Sequence, residues 1–196
     1  MATISILALT IALSLAGLWL FPRIIELSIF RPYWFVRRRQ YWTAIGNAFV
    51  HADLGHLFFN CLSFWFFAPP LEHVIGSARL VALYALGLAA SDAGTYFKHR
   101  HDPDYGCLGA SGAILAVLFA SIVYFPRESI IMLPIPFPIP APIFALSYLA
   151  YTWYAGRHPR GRINQEAHFN GALAGLAFVA ATDPASWGRA MHSVFN

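Results

Sequence analysis

The chain is poor in charged residues. Only 11% of its 196 residues are Asp, Glu, Lys or Arg, whereas a soluble domain carries about 25%. Hydrophobic residues make up 58%, and the mean hydropathy is +0.55. This shortage of charge argues against a soluble domain and indicates that lipid covers much of the surface. The net charge of +4 then fits loops at lipid headgroups, and we expect no nucleic-acid partner.

Cysteine is also scarce, since Cys61 and Cys107 are the only two. Two cysteines are too few for a disulfide framework. Both lie in or beside apolar segments, where a free cysteine behaves as a small buried hydrophobic residue.

Six apolar segments predict an all-α, polytopic membrane protein with one membrane-embedded domain over residues 1–196. The predicted spans cover about residues 2–21, 51–69, 79–97, 109–125, 140–156 and 168–182. The sixth is short for a full crossing, but its "GALAGLAFVAA" is rich in small residues that allow close helix packing. We interpret residues 1–21 as a retained span, because a signal peptide would carry a basic n-region.

The connecting segments differ in composition. Residues 22–50 form a long first loop whose "RPYWFVRRRQYW" suits a segment at the membrane interface. The fourth loop contains "LPIPFPIPAP", in which alternating prolines exclude a regular helix and favour an extended connection.

The distribution of basic residues bears on membrane orientation. The first, third and fifth loops together contain ten Lys and Arg residues, whereas the second and fourth loops and the C-terminal tail contain three. The positive-inside rule would therefore place the N-terminus outside the cytoplasm.

Polar side chains inside apolar spans need a functional or structural reason. The second span opens with His51, His56 and Asn60, the fourth with Ser111, and the sixth with His168. A metal site at the three histidines, with Asp53 as a further ligand, lacks a familiar zinc spacing, and we predict no metal or cofactor. Acyl transfer fits better, because serine needs a nearby base and the oxyanion needs N–H donors.

Small residues accompany the serine and the last histidine. Gly109 and Gly112 flank Ser111, and Gly171 and Gly175 follow His168. Such residues let helix backbones approach closely, as the fourth and sixth spans must do if serine and histidine are to meet.

These motifs resemble the signatures of rhomboid intramembrane serine proteases. The matching segments are "HADLGHLFFN" at 51–60, "GASG" at 109–112 and "AHFNGALAG" at 167–175, within a resemblance over about residues 40–182. The resemblance implies a Ser–His dyad of Ser111 and His168. It also implies an oxyanion hole of His56, Asn60 and the Ser111 backbone N–H.

The resemblance assigns structural roles to other motif residues. His51 would support the first loop, and Glu72 and Gly76 match an E-x3-G pattern at the end of the second span. The first loop of the family often contains a Trp-Arg pair, whereas this chain has Trp42 followed by Thr43. Asp92 has no family role, and we interpret it as a polar contact near the interface.

The resemblance further implies hydrolysis of peptide bonds in or near the transmembrane segment of single-span membrane proteins. Substrate would enter from lipid past the fifth span and the segment 156–167.

We expect a bacterial plasma (inner) membrane, with the mitochondrial inner membrane as the alternative. The family favours a cytoplasmic N-terminus, against the arginine count, and the orientation stays open. The oligomeric state is not predicted. Two further hypotheses are an inactive rhomboid-like protein that binds membrane partners, and a transporter or channel.

Overall fold

The described part of the chain is built mainly from α-helices. The structure, a computed structural model, describes residues 1–132, 137–158 and 163–195. Its ten α-helices within these ranges are α1 (Ala2–Leu15), α2 (Arg23–Ser28), α3 (Pro32–Arg37), α4 (Thr43–Gly46), α5 (Leu54–Ile75), α6 (Ser77–His99), α7 (Ser111–Tyr124), α8 (Ala141–Arg157), α9 (Gln165–Thr182) and α10 (Ala185–Phe195). The predicted all-α class is confirmed.

Short irregular elements complete the fold. A π-helical turn, Ala16–Leu20, extends α1, and a 3₁₀ turn, Asn47–Phe49, follows α4. Two strands, β1 (Ser129–Ile130) and β2 (Ile139–Pro140), pair antiparallel. The proline-rich fourth loop was predicted to be extended, and β2 falls within it. Residues 133–136 of that loop lie outside the described residues.

Helix α7 forms the centre of the molecule. All its residues from Gly112 to Val123 are buried, because α5, α6, α8, α9 and α10 all pack against it. An apolar helix of only 14 residues can therefore be wholly enclosed by protein. Its first residue, Ser111, is consequently positioned by neighbouring helices on several sides.

Glycine lets α9 lie unusually close to α7. A Cβ added to Gly171 would overlap the backbone of Gly112, and one added to Gly175 would overlap the backbone of Ala116. A Cβ at Gly112 would in turn meet the side chain of Ser91 on α6. The predicted role of these glycines in close packing therefore has a direct geometric basis.

The six predicted spans correspond to α1 with its π turn and to α5, α6, α7, α8 and α9. Among the described residues, only Ala2–Leu20 and Ser77–His99 are both long and apolar enough to cross a membrane by length and composition. Six crossings therefore stay a prediction. Helix α5 begins at Leu54, later than predicted, because the Asp53 carboxylate accepts the His56 backbone N–H at 2.8 Å.

Two regions contain helices that the sequence analysis did not predict. The first loop folds into α2, α3 and α4, and in it the guanidinium of Arg37 lies 3.9 Å from the ring centre of Tyr33. Helix α10 follows α9, and its Trp187 packs on the apolar core. In addition, the Arg127 side chain donates a hydrogen bond to the Ser193 carbonyl at 2.6 Å.

Candidate active site

Ser111 and His168 meet where α7 and α9 begin. The Ser111 Oγ lies 2.9 Å from His168 Nε2. The start of α9 is fixed by Asn164, whose side chain accepts the Ala167 N–H at 3.1 Å and donates to Thr95 on α6 at 2.8 Å. The structure therefore brings together the two residues predicted to form the dyad, within hydrogen-bond distance of each other.

The segment that precedes Ser111 is tied to the first loop by backbone hydrogen bonds. Phe30 and Cys107 exchange both N–H···O bonds of an antiparallel bridge, at 2.9 and 3.0 Å. The Gly109 N–H donates to the Asn47 carbonyl at 2.9 Å. Burial raises the pKa of the Cys107 thiol to about 12, so this thiol stays protonated at neutral pH and is a poor nucleophile.

Gly109 has a conformation that requires glycine. Its φ is +119°, a value that side chains with a Cβ rarely adopt. A Cβ there would also collide with the imidazole of His56. The ring of His56 therefore lies against the turn two residues before Ser111, as an oxyanion-hole residue would have to.

The remaining predicted oxyanion residue is Asn60, one turn after His56. Its side-chain nitrogen donates to the His56 carbonyl at 2.9 Å, which uses one of two amide protons. Asn60 also lines the same small cavity as Ala110. The structure thus places His56 and Asn60 on one face of α5, beside the residues that lead into Ser111.

His51 connects this cluster to the first helix. Its ring lies edge-to-face with His56, with centroids 4.9 Å apart. Its Nδ1 is 3.1 Å from the hydroxyl of Ser14, which also donates to the Phe49 carbonyl at 3.2 Å. His51 therefore contacts both α1 and an oxyanion candidate, and its partner Ser14 in turn binds the last part of the first loop. Among the described residues, no group of three His, Cys, Asp or Glu side chains is arranged to hold a metal ion.

Glu72 is distant from the dyad along α5 and ties three helices together. Its carboxylate accepts hydrogen bonds from the Ala2 N–H, the Thr3 N–H and hydroxyl, and the Ser77 hydroxyl, at 2.5–3.0 Å. These N–H groups lie in the first turn of α1, where they have no partner within the helix. Gly76, at φ +81°, makes the turn from α5 to α6.

Two contacts near the site were not predicted. The hydroxyl of Tyr148 on α8 lies 3.0 Å from His168 Nδ1, and the side-chain amide of Asn47 donates to both carboxylate oxygens of Asp92 at 3.1 Å. Asp92 stood out in the sequence as a charge in an apolar span, but its partner did not. The sequence did not indicate Tyr148 as a site residue, because tyrosine is common in apolar helices.

Comparison with known proteins identifies the family. Residues 38–183 match the model of the Rhomboid domain. The chain belongs to the rhomboid family. Rhomboids are integral membrane proteins, generally serine proteases that act on membrane protein substrates, and some members are inactive.

Individual rhomboid relatives come from bacteria and mitochondria. YdcA of Bacillus subtilis (strain 168), a protein that is named as a rhomboid protease, is 37% identical to this chain over 97 residues, which is 48% of each chain. Rhomboid protein 1, mitochondrial, of Saccharomyces cerevisiae is 27% identical over 181 residues, covering 87% of this chain and 50% of the yeast protein. Rhomboid protease GlpG of Klebsiella pneumoniae is 31% identical over 78 residues, covering 39% of this chain and 26% of the relative. The chain spans about half the length of the first two relatives.

Proposed function

We propose that this rhomboid chain is a serine endopeptidase that hydrolyses peptide bonds in or near the transmembrane segments of membrane proteins. The observation that carries the proposal is the 2.9 Å distance between Ser111 Oγ and His168 Nε2. A serine hydroxyl is a weak nucleophile unless an adjacent base takes its proton, and histidine is the usual base. An inactive binding protein would not need this pair to be aligned.

The chemistry follows from the placement of Ser111 at the start of a helix. Ser111 Oγ attacks the substrate carbonyl while His168 Nε2 takes the hydroxyl proton. The resulting oxyanion is stabilised by the Ser111 backbone N–H, which lies in the unpaired first turn of α7 at the positive end of its dipole. The side chains of His56 and Asn60 supply the other donors.

The second half of the reaction uses the same groups. His168 gives its proton to the nitrogen of the leaving amine, and the peptide C–N bond breaks to leave an acyl group on Ser111. Water then attacks the ester while His168 takes a proton from it. Collapse of the second tetrahedral intermediate breaks the ester bond and returns the proton to Ser111.

Access to the site supports a substrate that comes from lipid. Of the 17 residues of α8, only Ala141, Phe144 and Thr152 are buried, whereas α7 is enclosed by other helices. Among the helices that surround α7 at the site, α8 has the smallest share of buried residues. We therefore propose that substrate enters beside α8. The predicted gate segment 156–167 adjoins it, although residues 159–162 lie outside the described residues.

The membrane arrangement is part of the same proposal. We place α1 with its π turn, α5, α6, α7, α8 and α9 in the bilayer as six spans. Helix α7 is about 21 Å long at 1.5 Å per residue, which suffices for a helix that other helices enclose. A bacterial plasma membrane is the proposed location, with a cytoplasmic N-terminus and single-span proteins as substrates.

Cleavage in liposomes tests the function. Purified protein is reconstituted with a single-span substrate that carries a fluorescent label on one side, and release of the labelled fragment is measured. Ser111→Ala should abolish release. Ser121→Ala, at a buried serine in the same helix, is the matched control and should cleave like the wild type. Equal cleavage by wild type and Ser111→Ala would contradict the proposal.

A further inference from the structure

We propose that Tyr148 is a positioning residue for His168. Its phenolic oxygen accepts the hydrogen bond of His168 Nδ1–H, and this bond holds the imidazole in the tautomer whose Nε2 can take the Ser111 proton. The inference rests on the proposed hydrolase function and adds a third side chain, from a third helix, to the predicted dyad.

The imidazole is held at both of its nitrogens. Nε2 is 2.9 Å from Ser111 Oγ, and Nδ1 is 3.0 Å from the Tyr148 hydroxyl. A neutral imidazole carries one N–H. If His168 is to take the hydroxyl proton of Ser111, its Nε2 must be the unprotonated nitrogen. The proton must then be on Nδ1, and the atom within reach to accept it is the Tyr148 oxygen.

Packing fixes the position of the Tyr148 ring. The ring stacks on Phe144 with centroids 5.3 Å apart and planes inclined by 20°. It also lies 6.0 Å from the ring of Phe119 on α7. Both phenylalanines are buried. The ring is thus held by apolar contacts, and the hydroxyl is the part of the side chain that reaches His168.

Tyr148 keeps its proton throughout the reaction. During attack the Ser111 proton moves to Nε2, and the imidazolium then has a proton on each nitrogen. Tyr148 keeps its own O–H and accepts from Nδ1–H before and after this transfer. The Nε2 proton later goes to the leaving amine, so His168 returns to the same tautomer.

The expected effect is smaller than that of a carboxylate in the same position. Among the described residues, no carboxylate forms a hydrogen bond to His168. Replacing a triad aspartate by asparagine lowers kcat about 10⁴-fold, whereas a neutral hydrogen bond accounts for about a two- to tenfold change in rate. Loss of the Tyr148 hydroxyl should therefore slow the labelling of Ser111 about two- to tenfold.

The test removes one oxygen atom. Tyr148→Phe keeps the ring and its stacking but deletes the acceptor. The rate of labelling of Ser111 by a fluorescent fluorophosphonate is measured for wild type, Tyr148→Phe and Tyr154→Phe. Tyr154 is the matched control, because it lies on the same helix, is 59% exposed and stacks on His158 instead.

A spectroscopic measurement separates positioning from packing. Nitrogen-15 NMR of histidine-labelled protein reports which ring nitrogen carries the proton, with His168 assigned by its absence in His168→Ala. Wild type should show Nδ1 protonated and Nε2 free. In Tyr148→Phe the His168 signal should move toward the other tautomer, and the other histidine signals should stay in place, as in a correctly folded protein.

Each outcome decides the proposal. Labelling about two- to tenfold slower in Tyr148→Phe alone, with the tautomer shift, supports it. Labelling at the wild-type rate overturns it, and so does slower labelling without a tautomer change. If even wild type is not labelled, the hydrolase function fails. A wild-type His168 with its proton on Nε2 would instead overturn the role of Tyr148 specifically.

Discussion

Gly171 of α9 faces the backbone of Gly112 on α7 so closely that a Cβ on Gly171 would overlap the Gly112 carbonyl. Gly112 follows Ser111 directly, and Gly171 lies three residues after His168. The contact between the two glycines therefore determines how closely the hydroxyl and the imidazole can approach. Close helix packing and alignment of the proposed dyad are one geometric requirement in this chain.

The first prediction concerns that contact. Gly171→Ala should push α9 away from α7, because the added methyl group meets backbone atoms that cannot rotate away. Overpacking of this kind costs about 1–3 kcal/mol. We expect a lower Tm in detergent and fluorophosphonate labelling at least about tenfold slower, since a misplacement of about 1 Å can cost about a hundredfold in rate.

Gly188→Ala in α10 is the control for this substitution. A Cβ at Gly188 meets no atom within 4 Å, so both the Tm and the labelling rate should match those of wild type. Wild-type labelling and Tm in Gly171→Ala would show that the two helices are not held at the distance described.

The second prediction concerns the oxyanion hole. Asn60→Ala should lower kcat for substrate cleavage about 10²- to 10³-fold, as loss of one oxyanion donor does in other serine hydrolases. KM should change little, because the missing hydrogen bond forms only once the oxyanion develops. Steady-state cleavage in liposomes measures both constants. Ser63→Ala, one turn further along α5, serves as control, and an unchanged kcat in Asn60→Ala would remove Asn60 from the oxyanion hole.

The third prediction concerns the pair of Asn47 and Asp92. Asn47 is buried, its side chain donates to Asp92, and its carbonyl accepts the Gly109 N–H. Loss of either side chain should therefore disturb the turn that precedes Ser111. We expect Asn47→Ala and Asp92→Ala each to lower both the labelling rate and the free energy of unfolding.

A double-mutant cycle identifies the direct interaction between them. The double variant should be no less stable than the worse single variant, with a coupling of about 0.5–1.5 kcal/mol for a hydrogen bond. Unfolding is followed in mixed detergent micelles. Strictly additive losses would mean that the two side chains act independently.

The fourth prediction concerns Glu72. Glu72→Gln keeps the shape of the side chain but removes the charge that accepts four hydrogen bonds, so we expect a loss of about 1.5–3 kcal/mol in the free energy of unfolding. Labelling of the folded protein should stay close to wild type, because Glu72 contacts helix ends and not the dyad. Glu128→Gln, at an exposed glutamate, should leave both quantities unchanged. A large loss of labelling with normal stability would give Glu72 an unforeseen role at the site.

The sequence allowed the main helices and the approach of Ser111 to His168 to be predicted for a physical reason. A serine or histidine inside an apolar span is costly, so Ser111 and His168 stood out against their surroundings. The spacing of small residues after each of them predicted the close approach of two helices that the structure contains.

Other features depend on three-dimensional packing that leaves no pattern in one sequence. The short helices of the first loop are stabilised by contacts between aromatic rings and arginines and by hydrogen bonds to residue 107. Tyr148 is an ordinary residue for an apolar helix, and only the position of α8 brings its hydroxyl to His168. Helix α5 begins at Leu54, later than predicted, because the Asp53 carboxylate accepts a capping hydrogen bond from the His56 N–H.

Covalent labelling of Ser111 without any substrate tests directly whether its hydroxyl is activated by His168. Detergent-purified wild type, Ser111→Ala and His168→Ala are incubated with a fluorescent fluorophosphonate, which reacts with an activated serine hydroxyl. We expect labelling of wild type and none in either variant. Labelling that persists in Ser111→Ala, or folded wild type that is never labelled, would contradict this expectation.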